Sequence, residues 1–232
     1  MLGRICLEKE LRLRVKMEQE TIQGLRLWKV SVPAPGRPGQ LRKAARLLRK
    51  RKVSRVLVPD GFDGWPILEP YGLYPVETED FCRAMAAPLA AAALRRMDVT
   101  DESATVVLRG ERVTRAMRMA ALTLCRNVRN VVVSAPIGGE ALQAELRREF
   151  GVPNVEEGRG RVPDVALHFS ESYGNAAEIF RLYGPEPDLN GLQITCKGEG
   201  LPRDCQTLQL MAALWETGKL RGEEPEIAQC ST

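Results

Sequence analysis

Asn127-Val-Arg-Asn-Val-Val-Val133 is a polar lead-in to a β-branched run, and Lys52-Val-Ser-Arg-Val-Leu-Val58 has the same form. Each is preceded by an apolar strand-like run (Trp28-Lys-Val-Ser-Val32; Thr105-Val-Val-Leu108), a Gly-containing turn and an Arg-rich stretch of helical pattern. Each is followed by an aromatic-Gly-apolar turn, Tyr71-Gly-Leu-Tyr-Pro-Val76 in one case and Phe150-Gly-Val-Pro-Asn-Val155 in the other. Strands that alternate with helices imply parallel pairing with crossover helices. The echo of residues 28–77 in residues 105–156 therefore predicts an α/β fold, with a mainly parallel sheet built from two similar βαβ halves. Two such units create a switch point of strand order, where open α/β sheets bind ligands.

Residues 4 to 32 alternate apolar and charged side chains, with Leu11, Leu13, Val15 and Met17 on one face. That is the period of a half-buried strand. A turn at Gln23-Gly24 makes it an N-terminal β-hairpin. Pro33-Ala-Pro-Gly-Arg-Pro-Gly39 cannot be helix interior. After it, Leu41, Ala44, Ala45 and Leu48 recur at helical spacing, which predicts a helix over 40–51. A strand over 55–58 follows, then a loop with one helical turn over 61–76. Thr78 is a natural N-cap for a helix reaching Met97, with Pro88 kinking it or splitting it in two.

The stretch 98–103 is the expected boundary between halves 1–98 and 99–232, unless the chain forms one compact domain. Beyond it come strand 105–108, helix 111–126, strand 130–134, helix 138–150 and strand 164–169. Residues 172–183 read as helical and 192–196 as a strand. Pro202 to Thr217 reads as an amphipathic helix capped by Gly218. The last ten residues are expected to fray.

The chain has 232 residues, of which 44% are hydrophobic and 28% charged, the balance of a globular protein with a substantial core. Its longest apolar run, Ala84 to Leu94, is too short to span a bilayer and contains Pro88. Charged residues interrupt any signal-peptide core near the start, so a cytoplasmic protein without a membrane partner is expected. The six cysteines are scattered without a Cys-x-x-Cys pair, a pattern of incidental thiols in a reducing compartment.

A dinucleotide fingerprint requires Gly-x-Gly-x-x-Gly between a strand and a helix. The turns here read Arg109-Gly-Glu-Arg-Val-Thr114 and Ser134-Ala-Pro-Ile-Gly-Gly139. In Gly158-Arg-Gly160, Pro163 stands where the third glycine belongs. The ordinary NAD site is missing, as are a Walker A sequence and a Gly-x-Ser-x-Gly elbow. What remains is a looser anion site: helix starts at Arg112 and Gly139, with Arg109, Arg112 and Arg115 clustered around the first. The plain alternative is that these arginines form the solvated face of a basic helix.

His168 is the single histidine, which excludes His-based metal cages, and no metal site is expected. It ends the run Asp164-Val-Ala-Leu-His-Phe-Ser170, so alternation places it on one face with Ser170. His168 is a candidate acid/base or ligand contact, with Ser134 and Asp60 at other strand ends. A core histidine bonded to backbone is the competing reading. Residues 37–55 carry nine basic side chains and no acid, which suits phosphate neutralisation, although interleaved aromatics for base stacking are absent. The pairs Glu156-Glu157 and Glu223-Glu224 read as solvated loops, and Trp28, Trp65 and Trp215 as packing residues.

In its order of elements, the stretch from about residue 28 to 170 resembles Rossmann-like doubly wound domains. The resemblance implies a ligand cleft at the strand ends but carries over no catalytic residue. The function expected is binding of a small anionic ligand, a nucleotide or phosphorylated metabolite, in a binding or regulatory role. Its contacts would be Arg109, Arg112, Ser134, Gly138, Gly139 and Ser170, with His168 beside them. The alternatives are an enzyme using His168 as acid/base in the same cleft, and nucleic-acid binding through residues 37–55. The sequence names neither a cofactor nor an oligomeric state.

Overall fold

The computed structural model describes residues 1–9, 14–153, 162–196, 201–202, 205–220 and 225–229. They form a mixed α/β structure in two compact units, residues 1–77 with 194–226 and residues 78–193 with 227–232. Among them, no helix is long and apolar enough to cross a membrane.

The first unit begins with β1 (Leu2–Glu8), β2 (Lys16–Ile22) and β3 (Leu25–Pro33). Gln23 and Gly24 both have positive φ, the geometry of a two-residue hairpin turn, and join β2 antiparallel to β3. β1 lies parallel to β3 and, on its other side, to β4 (Arg55–Leu57), which is parallel to β5 (Tyr74–Pro75). The strand order is therefore β2-β3-β1-β4-β5.

Helix α1 (Pro38–Lys50) makes the crossover from β3 to β4. Pro38 opens it, and the Gln40 Oε1 accepts from the Arg37 amide at 3.0 Å. Its buried face, Leu41, Ala44, Ala45 and Leu48, packs on Ile5, Val30, Val32 and Val56. The approach is close: a Cβ on Gly3 would lie 2.9 Å from a Leu48 methyl. Helix α2 (Trp65–Leu68) and a 3-10 turn (Glu69–Tyr71) lead into β5. Helix α7 (Thr207–Glu216) completes the unit, with the Gln206 amide donating to the Val58 carbonyl at 2.9 Å and Arg55 paired to Glu216 at 2.7 Å.

The second unit opens with α3 (Glu79–Ala84) and α4 (Ala86–Arg96), which abut at Met85. Pro88 falls in the first turn of α4, where its missing N–H removes no helical bond. Then follow β6 (Thr105–Arg109), α5 (Arg115–Leu124), β7 (Asn130–Ser134), α6 (Gly139–Phe150), β8 (Val165–His168) and β9 (Glu178–Arg181). The sheet is parallel throughout, in the order β7-β6-β8-β9. Buried Asp164 ties the amino ends together, its Oδ2 accepting from the Thr105 amide at 2.8 Å. At the β7 edge, Gln143 of α6 stands in for a further strand. Its Oε1 accepts from Val133 N at 2.9 Å and its Nε2 donates to Val131 O at 3.1 Å, which satisfies groups an edge strand leaves open. β10 (Leu192–Thr195) and β11 (Glu226–Gln229) form a separate two-stranded sheet.

Several expectations require correction. The alternation of residues 4–32 contains three strands, and the opening one lies parallel in the sheet instead of serving as a hairpin arm. The two compact units part at 77/78, with α3 and α4 packed on α5 and β8. The helix expected over 111–126 spans Arg115–Leu124. Residues 172–183, expected helical, are a loop followed by β9, and residues 226–229 of the supposedly frayed tail form β11. The echoed segments both fold as strand–helix–strand, but β7 neighbours β6 whereas β1 separates β3 from β4. Leu11, Leu13, Glu156-Glu157, Gly158-Arg-Gly160, Glu223-Glu224 and Cys230 lie outside the described residues.

Leu48 is fully buried and Arg46 exposed on the same helix. Leu48→Ala is expected to cost about 3 kcal/mol in denaturant unfolding, from lost transfer energy and a residual cavity. Arg46→Ala is expected to stay within about 0.5 kcal/mol.

Candidate functional site at the carboxyl end of the second sheet

In the second sheet the chain passes from β6 to β7 on one side and then to β8 on the other, so β6 and β8 flank the switch of strand order. At their carboxyl ends the register sets Ser134 of β7, Arg109 of β6, His168 of β8 and Arg181 of β9 in one row. Register partners in parallel strands share a face. Three sequence candidates, Ser134, Arg109 and His168, are thus adjacent because each ends an apolar β-branched or aliphatic run.

Arg109 is 1% exposed and His168 6%. An Arg109 terminal nitrogen lies 3.1 Å from His168 Nε2, and the other donates to the Asn175 carbonyl at 2.9 Å. Guanidinium only donates, so Nε2 is the acceptor and the imidazole carries its proton on Nδ1. That Nδ1–H donates to Ser172 Oγ at 3.0 Å, and the Ser172 hydroxyl donates to the Ser170 carbonyl at 3.0 Å. Both ring nitrogens are hydrogen-bonded, so acid–base work at this ring would have to displace the Arg109 contact.

Gly174 lies over the guanidinium. A Cβ there would come within 2.5 Å of Arg109 Cζ, and its φ of +143° disfavours any other residue. Ser170 Oγ accepts from the Glu111 amide at 2.8 Å, tying the loop after β8 to the loop after β6. Arg83 of α3 adds a hydrogen bond to the Phe169 carbonyl at 2.7 Å.

Above this buried floor, the loops after β6 and β7 run side by side. Arg112 and Ile137 form a parallel bridge, Val113 N donates to Ile137 O at 2.9 Å, and Ile137 N donates to Glu111 O at 3.2 Å. Gly138, at φ +84°, turns the chain into α6, whose first residue is Gly139. Arg112 and Gly138 therefore sit together on an exposed rim, whereas Gly139 is buried with its amide donating to the Ala135 carbonyl at 3.1 Å, and Ser134 and Ser170 are half-buried. The rim is not a helix start at Arg112: Thr114 caps α5, its Oγ1 accepting from the Met117 amide at 3.2 Å. Among the described residues, the Arg112 and Arg115 side chains form no ion pair. Asp60 belongs to the first unit. Ser172, Gly174 and Asn175 escaped the sequence reading, which took their segment for helix. The signal available was the Ser-x-Gly-Asn run, typical of a turn.

A cleft of about 390 Å³ lies within the first unit at the amino ends of β1, β3 and β4, lined by Leu2, Leu25, Arg26, Arg55 and Glu216 among others. Arg55 and Glu216 neutralise each other there. The strand ends of the second sheet carry the richer chemistry.

Cys6, Cys82, Cys196 and Cys205 are buried. Burial, with the Glu79 carboxylate adding, pushes the Cys82 thiol up to about 12, and burial pushes Cys125 up to about 11. Neither is a nucleophile near neutral pH. No known family model matches the chain, and no curated protein matches it in sequence.

Two outcomes follow from this geometry. Gly174→Ala is expected to lower stability by about 2 kcal/mol or more, read by thermal or denaturant unfolding, because the new methyl group displaces the loop from a buried cation. In native protein at pH 8, iodoacetamide followed by peptide mapping is expected to leave Cys82 and Cys125 unmodified. A thiol titrating near 12 is only about one part in ten thousand thiolate at that pH, and labelling rises as pH approaches that value.

Proposed function

We propose that the chain is a Rossmann-like protein of two related doubly wound halves. It binds a small anionic ligand, a nucleotide or phosphorylated metabolite, at the carboxyl ends of β6 and β8, in a cytoplasmic binding or regulatory role. The observation that carries this reading is the bridge of Arg112 to Ile137. It holds an exposed guanidinium, with no ion pair among the described residues, beside the amino end of α6, at the strand-order switch.

In this reading Arg112 and the exposed Gly138 backbone contact the anion, and Arg115 adds charge at the rim. Gly139, buried with its amide bonded to the Ala135 carbonyl, only turns the chain into α6. Ser134 and Ser170 offer hydroxyls below. Arg109 and His168 hold the floor and the 172–175 loop. The kinship of the halves rests on their parallel strands: β3-β1-β4-β5 and β7-β6-β8-β9 each place their first strand second in line. The commitment of both His168 nitrogens favours binding over acid–base catalysis at this site.

The test is thermal unfolding against a panel of nucleotides and sugar phosphates. A ligand at tenfold its Kd adds about 1.4 kcal/mol, an upward shift of roughly 3–5 °C for a protein of this size. Arg112→Ala is expected to abolish that shift while leaving the unliganded melting temperature unchanged. No shift with any member of the panel, or a shift that survives Arg112→Ala, overturns the reading.

A further inference from the structure

Residues Arg42 to Lys52 carry seven cations and no acid, in a chain whose net charge is +4, so everything outside this stretch is net acidic. No aspartate or glutamate occurs between Glu20 and Asp60. All seven cations are exposed. Among the described residues, Arg42, Lys43, Arg46, Arg49, Lys50 and Lys52 form no ion pair, and Arg51 stacks over the Trp28 ring at 4.3 Å. An ordinary solvated helix face mixes signs and carries i,i+4 pairs. This one does neither.

At 100° per residue, Arg42, Lys43, Arg46, Arg49 and Lys50 occupy an arc of about 120°, over about 12 Å of helix. The opposite arc is the buried face of Leu41, Ala44, Ala45 and Leu48, which anchors α1 on the sheet. The cations therefore project from a rigid, one-sided mount. Other polyanionic surfaces fit less well. None of the large exposed apolar side chains lies in residues 37–55, so nothing is placed to enter a lipid interface. The nearby aromatic, Trp28, already has Arg51 on its ring, so no stacking platform for single-stranded bases is offered. A row of point charges without base-reading or stacking groups matches a duplex phosphate backbone, which presents one charge per about 1.7 Å of axis.

We infer that the outward face of α1 is a docking surface for the backbone of a nucleic-acid duplex, bound without regard to base sequence. Four or five phosphate contacts give a log–log salt slope of about −4, and affinity falls by about two orders of magnitude between 50 and 200 mM salt.

The experiment is fluorescence anisotropy with a labelled 20-base-pair DNA duplex at 50 and 200 mM KCl. The wild-type chain is compared with a variant carrying Arg42→Gln, Arg46→Gln and Arg49→Gln. Glutamine keeps helix propensity close to that of arginine at these exposed sites, and circular dichroism checks that the helix persists. The slope is expected to fall to about −1, with affinity at 50 mM reduced more than tenfold. A control replacing exposed Arg95, Arg126 and Arg129 of the second unit by Gln loses the same charge and is expected to retain the wild-type slope. The inference is overturned by absent binding at 50 mM, by binding that survives the α1 variant, or by equal loss in the control. Sedimentation onto anionic phospholipid vesicles without duplex binding overturns it too, and assigns the face to a membrane surface.

Discussion

A buried guanidinium without good hydrogen-bond partners is prohibitively costly, and the carboxyl end of the second sheet is arranged around that constraint. Arg109 ends the central strand β6 at 1% exposure, and the structure meets its demand with neutral groups among others: an imidazole nitrogen and a backbone carbonyl. Each partner is held by something else. His168 is oriented by Ser172, and Ser172 is fixed by the Ser170 carbonyl. Ser170 in turn holds the amide of Glu111, two residues beyond Arg109. The chain of bonds returns to its origin, so the loops after β6 and β8 have one mutually consistent conformation.

Much of this architecture was written locally. The helix α1 follows from Leu41, Ala44, Ala45 and Leu48 at helical spacing, and β6 and β7 from unbroken β-branched runs in a sheet covered on both faces. The adjacency of Arg109, His168 and Ser134 follows from the same runs, since each residue ends one. Long-range contacts were not legible. Tyr173, Ala176, Ala177 and Phe180 have the spacing of a helix face, yet the segment forms a loop and strand β9. Pairing of Glu178–Arg181 with β8 and the cover of Gly174 over Arg109 outweigh a weak local preference. Nor did anything around Gln143 reveal that a helix side chain would satisfy the edge of β7.

Both echoed segments fold as strand–helix–strand, but their places in the sheets do not match element for element. By position in the sheets, β3 corresponds to β7, not β6, and α1 to α6. The hairpin strand β2 occupies, in the first unit, the stretch of chain that α5 occupies in the second. A repeat of strand–helix–strand has no phase of its own. Only strand order supplies one, and strand order is set by which neighbours a strand finds across the sheet.

The division of the chain bears on its synthesis. The second unit is nearly continuous, from residue 78 to 193, whereas the first is interrupted by it and takes α7 from residues 207–216. Leu210, Met211 and Leu214 of that helix are buried. A ribosome therefore releases every strand of the first sheet long before the helix that completes its core. The part made first is finished last, and its unmet apolar surface must stay out of aggregates while the whole intervening unit is translated.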